Sequence, residues 1–545
     1  MQILRYGDRR SLVVGERMRS AGYPRQTAGS RDAMKRFTCL ALLVLGLACR
    51  PSSNAGQADA VRQPAVAGSF YPGDAARLKA AIKEFLHDAR PVAVEQPVAI
   101  VVPHAGWAFA GQVIADAFKS VEGQKYDTVV IMGTNHTTAG FRGISVYPHG
   151  AFRTPLGNAS IDEEVARALL AEDKSCNTRQ DVHVREHSVE VQIPFVQYLF
   201  PSAKIVPVIV GEPDPDQCAA FGEALAKVLR GRRALIVASS DLSHYPTYQD
   251  AVSTDRQTLE AIVAGDPRAL HSKIEERMSE GIRELGTCAC GEGAIMSAMT
   301  AAKALGASRG VFVSYTNSAS SLSWERPRSE PGVVGYGAVV FCGGRGQNNL
   351  QALKQPAVAS PNEPLTAADK KTLLGIARKA INRYLVTDTL LLVRDVSPTL
   401  QRAQGAFVTL KEEGELRGCI GHMMSELPLA QTVGTVALLA AFNDTRFSKV
   451  TASEVPGLEI EISVLTPMKP VSRIEDIVIG RDGVYMQKGD RSAVFLPQVA
   501  PEQGWGRTEM LQNLSVKAGL PSDAWKSGAK FLVFQAEVFS EHQFK

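Results

Sequence analysis

Beyond residue 49 the sequence lacks three things: an apolar run long enough to cross a bilayer, an excess of either charge, and an internal repeat. The first absence leaves no further candidate for a membrane-crossing helix. The second follows from where the charge sits. Residues 1–49 hold nine Lys or Arg and three Asp or Glu of the chain's 60 and 56, so the overall +4 becomes −2 in the remainder. A nearly neutral body has no electrostatic footprint for nucleic acid. With no repeat, and no likeness between the two halves, the chain reads as different domains in series. Its length and 45% hydrophobic content suffice for at least two cored domains.

What is present begins with an export signal. Met34 precedes Lys35 and Arg36 and then FTCLALLVLGLAC, a run with the length of a signal-peptide core and too short to span a bilayer. Gly46-Leu47-Ala48-Cys49 resembles a bacterial lipoprotein cleavage box, with Gly46 where Leu is usual. The expectation is a start at Met34, a signal segment over 34–49 and a lipid-modified Cys49. Residues 50–61 form a polar tether, and 1–33 are a leader that is disordered or not native to the chain. The protein is then anchored to a membrane and faces the periplasm or the exterior. If the signal is misread, it is cytoplasmic.

A Gly-, Asn-, Gln- and Pro-rich stretch over 343–364 reads as a linker between domains at 62–342 and 365–545. The first domain alternates continuous Val/Ile-rich runs at 97–102, 127–133, 204–210, 233–239 and 310–315 with helical patterns such as GQVIADAFKSV and CAAFGEALAKVLRG. Continuous apolar runs fit strands covered on both faces, so an α/β layered domain is expected.

Polar residues collect where three of these runs end: His104 after the first, His136 after the second, and Asp241 and His244 after the fourth. In open α/β sheets the loops at the carboxyl ends of the strands build the ligand crevice. Each His alone fits a loop cap; the three together point to one site. Imidazoles with a thiolate suit zinc, iron or copper rather than calcium or magnesium. Cys290 precedes an apolar helical pattern, and a thiolate is favoured near a helix N-terminus. The bland reading makes Cys288 and Cys290 small buried residues or an oxidised pair. Glu186, His187 and Glu190 read as one helical turn, able to orient ligands or move protons, or as the polar side of an ordinary amphipathic helix. Glu186-His187 is not part of an HExxH motif.

The runs PHAGWAFAG, GTNHT, FRTPLG, EHSVEVQIPF, SSDLSHY and ACGEGAI occur in this order over 62–342. They resemble the Memo family, also called AmmeMemoRadiSam system protein B. The resemblance implies a fold like class III extradiol ring-cleaving dioxygenases, with metal ligands at His104, His136 and Cys290 and with Asp241 and His244 lining the pocket. It also selects Cys290 over Cys288 as the ligand. With His187, Asp241 and His244 as catalytic groups, the expected function is redox or oxygenase-like chemistry on an unknown substrate at a non-haem metal. Iron is the leading metal, with copper and zinc as alternatives. The other reading is a non-catalytic metal-binding or interaction module with a dioxygenase-like pocket.

The second half places a helix over 365–385 behind a Thr366 cap, a buried helix over 432–442, and strands at GAFVTLK, LEIEISVLTPM, GVYMQKG, SAVFLP and FLVFQAEVF. This is an α+β domain. FVTLKEEGELRGCIG and FNDTRF resemble the AMMECR-type domain, AmmeMemoRadiSam system protein A. Cys419 between two glycines reads first as a packed strand thiol. Arg417, Asn443, Asp444 and Arg446 are expected to form a pocket for an anionic small molecule. The system's name also implies a link to a radical S-adenosylmethionine protein, which is at odds with export.

Overall fold

A computed structural model describes residues 61–212, 214–307, 309–318, 332–344, 363–425 and 427–544. The expected leader, signal segment and Cys49 lie outside the described residues, as do most of the expected tether and linker. Among the described residues no helix is long and apolar enough to cross a membrane.

The first domain is built on a seven-stranded sheet. Its order is Ile144–Val146, Lys204–Val210, Thr128–Thr134, Ala234–Ser239, Pro97–Val102, Gly335–Cys342, Arg309–Asn317. The second to fifth, from Lys204–Val210 to Pro97–Val102, run parallel, and antiparallel strands close both edges. Thr128–Thr134 is buried at every position, as a strand covered on both faces must be. Helix Trp107–Ser120 packs on Pro97–Val102 and its antiparallel neighbours, and Glu292–Ala304 packs on Ala234–Ser239 and on helix Pro215–Leu229. The strands expected from apolar runs are present, and two more, Ile144–Val146 and Gly335–Cys342, were not visible. Gly335–Cys342 opens GYGAV, and its glycines answer to packing rather than to strand propensity. A Cβ on Gly335 would stand 1.9 Å from the Asp255 carboxylate, and one on Gly337 would stand 2.7 Å from Leu259.

Residues 185–195 do not form the expected single helix. Helix Asp181–Val184 ends, the chain turns through Arg185 to Val189, and only then come the short helices Glu190–Gln192 and Ile193–Leu199. The turn separates Glu186 and His187 from Glu190. Glu190 is fully buried elsewhere, taking the Arg62 guanidinium, the Ala65 and Val66 amides at 2.7 and 3.0 Å and the Tyr71 hydroxyl at 2.8 Å. It anchors residues 62–71 rather than the crevice.

The second domain has a four-stranded antiparallel sheet, ordered Glu415–His422, Ala406–Glu412, Leu458–Leu465, Ala536–Ser540, under helices Ala367–Thr387 and Leu429–Phe442. The first helix starts on a reciprocal cap: Asp369 N donates to Thr366 Oγ1 at 3.1 Å, and Thr366 N donates to Asp369 Oδ2 at 3.0 Å. A second sheet, Lys469–Val471, Lys530–Phe534, Gly483–Lys488, Arg491–Phe495, carries its own core with helix Arg507–Lys517. The run FLVFQAEVF is two strands, one in each sheet. It breaks at Gln535, whose backbone N and O bond Thr466 Oγ1 and Thr466 N, both at 2.8 Å.

Candidate metal centre

Four chain segments deliver the crevice residues to one end of the parallel strands. His104 follows Pro97–Val102, His136 follows Thr128–Thr134, Asp241 and His244 follow Ala234–Ser239, and Cys290 stands just before helix Glu292–Ala304. One donor atom from each of His104, His136 and Cys290 lies within 4.8 Å of the others. His104 Nε2 is 3.1 Å from Cys290 Sγ, and the His104 and His136 rings stand edge to face at 5.1 Å.

The hydrogen bonds behind the two rings assign their tautomers. Ser239 Oγ gives its one proton to Ser188 O at 2.6 Å, so it can only accept from Gln192 Nε2 at 3.0 Å and from His104 Nδ1 at 3.2 Å. His104 therefore carries its proton on Nδ1, and Nε2 is bare. His136 Nδ1 lies 2.9 Å from Glu186 Oε1. Burial alone would raise this carboxyl, but the His136 hydrogen bond and the two neighbouring imidazoles hold it at about 2. An ionised carboxylate only accepts, so His136 too carries a proton on Nδ1, which in the neutral ring leaves Nε2 as the coordinating nitrogen. Burial, followed by the neighbouring imidazoles, pushes the His104 pKa well below the usual range, so that ring is neutral.

Glu186 also forms a group with His136 and His187 whose donor atoms approach closely enough to hold a cation. Its oxygens are already used. Oε1 accepts the His187 and Ser188 amides, both at 2.9 Å, and Oε2 accepts the His136 amide at 2.7 Å. With three backbone donors and one imidazole on it, Glu186 orients ligands and is not free to be one.

His187 stacks on His136 at 4.6 Å and meets the Phe70 ring edge at 4.8 Å. Burial, opposed by Glu186, lowers its pKa to about 4. Asp241 Oδ1 accepts the His104 and Ala105 amides at 2.7 and 3.1 Å, so this carboxyl fixes the loop that presents His104. Burial pushes its pKa up against the pull of His244. His244 donates Nδ1–H to Leu242 O at 2.9 Å, which leaves Nε2 as an acceptor. The next residue, Tyr245, has φ +75° and is half exposed, a left-handed conformation that a bulky residue holds only when its surroundings enforce it. The Tyr245 amide donates to Val333 O at 2.8 Å, and Asp255 secures the same loop by accepting Ser243 N, also at 2.8 Å.

The two thiols part ways. Cys288 is fully buried in the hydrophobic core, whereas Cys290 opens on the crevice. Desolvation works against the thiolate expected for Cys290. Burial, reinforced by Asp241, pushes its pKa far up, so a neutral thiol faces the bare His104 Nε2. Sequence reasoning missed Ser239, Ser188, Gln192 and Phe70. The available signal was a serine closing a buried apolar strand and a glutamine inside the apolar run VEVQIPF.

In the second domain the expected anion pocket is filled by its own charges. Arg446 makes a two-pronged pair with Asp444 at 2.9 and 2.6 Å, and Arg417 Nε bonds Glu454 at 2.8 Å. Asp444 Oδ2 also accepts Cys419 N at 2.9 Å, and Asn443 is an exposed helix cap outside this network. Both guanidinium groups are paired, which leaves neither arginine uncompensated for an anion. The glycines beside Cys419 serve close packing: a Cβ on Gly418 would stand 2.3 Å from Ala440 O, and one on Gly421 would stand 2.2 Å from the Phe407 ring.

Comparison with known proteins agrees with this geometry. Residues 62–340 match the family described as Memo-like protein, and residues 374–539 match AMMECR1. A MEMO1 family protein of Sulfurisphaera tokodaii is 33% identical over 296 residues, covering 52% of this chain and 99% of the relative. One from Methanopyrus kandleri is 36% identical over 295 residues, covering 51% and 98%. Among solved structures, an uncharacterized protein from Pyrococcus horikoshii is 38% identical over 31% of this chain and 89% of its own, with a TM-score of 0.29. The Memo fold is of the extradiol-dioxygenase type, and an α+β region follows it here. With the family match spanning the sheet and every residue of the His/His/Cys group, the chain belongs to the Memo family and carries an AMMECR1 domain behind it.

Proposed function

We propose that the protein binds a transition metal through His104 Nε2, His136 Nε2 and Cys290 Sγ, and that it supports redox or oxygenase-like chemistry on an unidentified small-molecule or protein substrate. The observation that carries the reading is the pair of imidazoles whose Nδ1 protons are both engaged, which leaves two bare nitrogens beside one thiol. Two borderline nitrogens and a soft sulfur suit iron, copper or zinc, with iron the leading assignment. When bound, iron or copper supplies an open coordination position for oxygen, water or a substrate oxygen. The thiol releases its proton on metal binding, so affinity rises with pH.

The remaining groups take separate parts. Asp241 is a positioning residue through the amides of His104 and Ala105. His244, with Nδ1 tied to Leu242 O, offers Nε2 to accept a substrate proton. His187, neutral and walled by Phe70, contacts substrate beside His136. A non-catalytic metal-binding module is the second reading, favoured by the thiol where ring-cleaving relatives of the fold carry a carboxylate. Metal content of the wild-type chain and of His104→Ala, His136→Ala and Cys290→Ser tests the ligand set; unchanged substoichiometric metal in all four sinks it. Oxygen uptake with a catechol panel then separates enzyme from module.

Anchoring by a lipid on Cys49, facing the periplasm or exterior, is part of the same proposal and rests on the sequence of 34–49. Palmitate labelling that leaves Cys49 unlabelled removes it and favours the cytoplasm. A functional link to a radical S-adenosylmethionine protein is proposed from the pairing of the two domains.

A further inference from the structure

The two domains meet along a charged seam with a buried centre. Arg383, on helix Ala367–Thr387, has a side chain 1% exposed; its Nε stays within its own domain on Thr389 Oγ1 at 3.3 Å, and its two Nη groups cross to the other. Nη1 donates to Asp88 Oδ2 at 2.7 Å, Nη2 donates to Gln112 Oε1 at 3.1 Å, and the Phe85 ring lies 4.7 Å from its Cζ. Lys379 adds a contact to Asp88 at 3.0 Å. Arg394 donates to both oxygens of the fully buried Asp116, at 2.8 and 3.3 Å. The cations of this centre come from the AMMECR1 domain and the acids from the Memo domain. At the exposed rim, Arg90 with Asp395 and Arg77 with Asp388 pair in the opposite sense. A buried guanidinium is tolerated only where its donors are met, so Arg383 commits its helix to this face.

Beside the seam, Leu390, Leu391 and Leu392 face Phe85, Trp107, Phe109 and Gln112. Trp107 stands three residues after His104 and begins the helix that the seam grips. Its amide donates to Phe70 O at 2.7 Å. Its indole Nε1 donates to Val191 O at 3.2 Å, within the segment that carries Glu186, Ser188 and Gln192. Helix Trp107–Ser120 is thus gripped by the second domain at Gln112 and Asp116, and its first residue ties it to the loop that presents His104 and to the segment that orients both imidazoles.

We propose that the docked AMMECR1 domain is a working part of the metal site: by gripping helix Trp107–Ser120 at Gln112 and Asp116 it keeps Trp107 and His104 in place and raises the site's metal affinity. This rests on reading His104, His136 and Cys290 as metal ligands. Coupling of this kind is reciprocal, so metal tightens the docking by the same factor by which docking tightens metal.

The test uses the full chain with a protease site introduced within 345–362 and zinc as a redox-inert probe, titrated against a chromophoric chelator. After cleavage the wild-type halves are expected to co-elute, and zinc to lower the protein concentration at which they part. Arg383→Met, Arg394→Met and their double are compared in the uncleaved chain. The variant whose cleaved halves separate is expected to bind zinc at least tenfold more weakly. Zinc affinity within twofold of wild type in that variant overturns the proposal. So do halves that stay together in all three variants, because the seam then does not carry the docking. If an Arg variant fails to fold, Asp88→Asn and Asp116→Asn, on the opposite side of the seam, must lower zinc affinity in its place. A wild-type chain that binds no zinc, iron or copper removes the ligand assignment and this inference with it, a result distinct from intact binding that ignores docking.

Discussion

Replacing Glu186 with Gln keeps the side chain's shape and removes its charge. The carboxylate takes four hydrogen bonds, three from backbone amides and one from His136 Nδ1. Oε1 serves three of these donors, so the Gln oxygen must take that place and its NH2 must then face the His136 amide, donor against donor. One hydrogen bond is lost outright, and the others fall from charge-assisted to neutral strength, a step of about 1 kcal/mol each. The His136 tautomer survives because its Nδ1 still meets an oxygen, but the ring becomes a weaker base and is less firmly oriented. Loss of such an orienting partner weakens metal binding roughly 10- to 100-fold, about 1.4 to 2.7 kcal/mol. Chelator competition with zinc at pH 7 reads this directly, with circular dichroism as the check on folding. Glu186→Ala, which frees His136 to turn over, should bind zinc more weakly than Glu186→Gln. Folded Glu186→Gln protein with zinc affinity within twofold of wild type would refute the tautomer argument, since it would mean that neither charge nor orientation at His136 reaches the metal.

Glu190→Gln leaves the buried Arg62 guanidinium uncompensated, at a cost of roughly 3–5 kcal/mol. Calorimetry should show the Memo-domain transition lowered by about 10 °C, and a loss of under 2 °C contradicts the anchoring role. Asp255 supplies a pH dependence of defined sign. Burial raises its folded pKa to about 7, so between the unfolded carboxyl value near 4 and pH 7 the folded state holds a proton that the unfolded state releases. Stability therefore falls as pH rises through that window, by on the order of 4 kcal/mol at most. Asp255→Asn should flatten melting temperature against pH between 5 and 8, and an unchanged slope rejects the assignment. Cys290→Ser should lower metal stoichiometry, whereas Cys288→Ser should lower stability by roughly 1–2 kcal/mol at full stoichiometry; equal metal loss in both contradicts the division of roles.

The sheet was legible where burial on both faces makes a strand continuously apolar. Pro97–Val102 and Lys204–Val210 fall where those runs do. Legibility failed where packing overrode local pattern. Gly335 and Gly337 hide a strand because Asp255 and Leu259 leave no room for side chains. The Val and Ile of VEVQIPF suggested a helix that the turn at 185–189 interrupts. In the crevice, ligand types at strand ends could be read from one dimension. The groups that orient them could not. Ser239 looks like the last residue of an apolar strand, and only its bonds to Ser188, Gln192 and His104 reveal its part. Glu190 failed in the opposite direction: three residues from His187, it stands with Arg62 and Tyr71, more than a hundred residues upstream. The charges of the second domain were visible as a cluster, but their mutual pairing was not.

The arrangement of Cys288 and Cys290 bears on whether the proposed metal site is compatible with the proposed export. Thiols one residue apart invite oxidation to a disulfide in the periplasm, which would consume the ligand. Here the two sit in different surroundings, Cys288 within the core beside the charges of Asp255 and Arg277, Cys290 against His104 and the Asp241 carbonyl. Burial pushes the Cys288 pKa up to about 12, and that of Cys290 rises as well. Exchange needs an accessible thiolate, and neither sulfur offers one in the metal-free fold. Joining them also requires Cys288 to leave a core position that is fully buried, so the disulfide costs packing as well as deprotonation. Protection of Cys290 is thus built into the fold before any metal arrives, and metal adds to it by occupying the sulfur. If the proposed export and metal binding hold, an oxidising compartment and a thiol ligand are compatible in this chain.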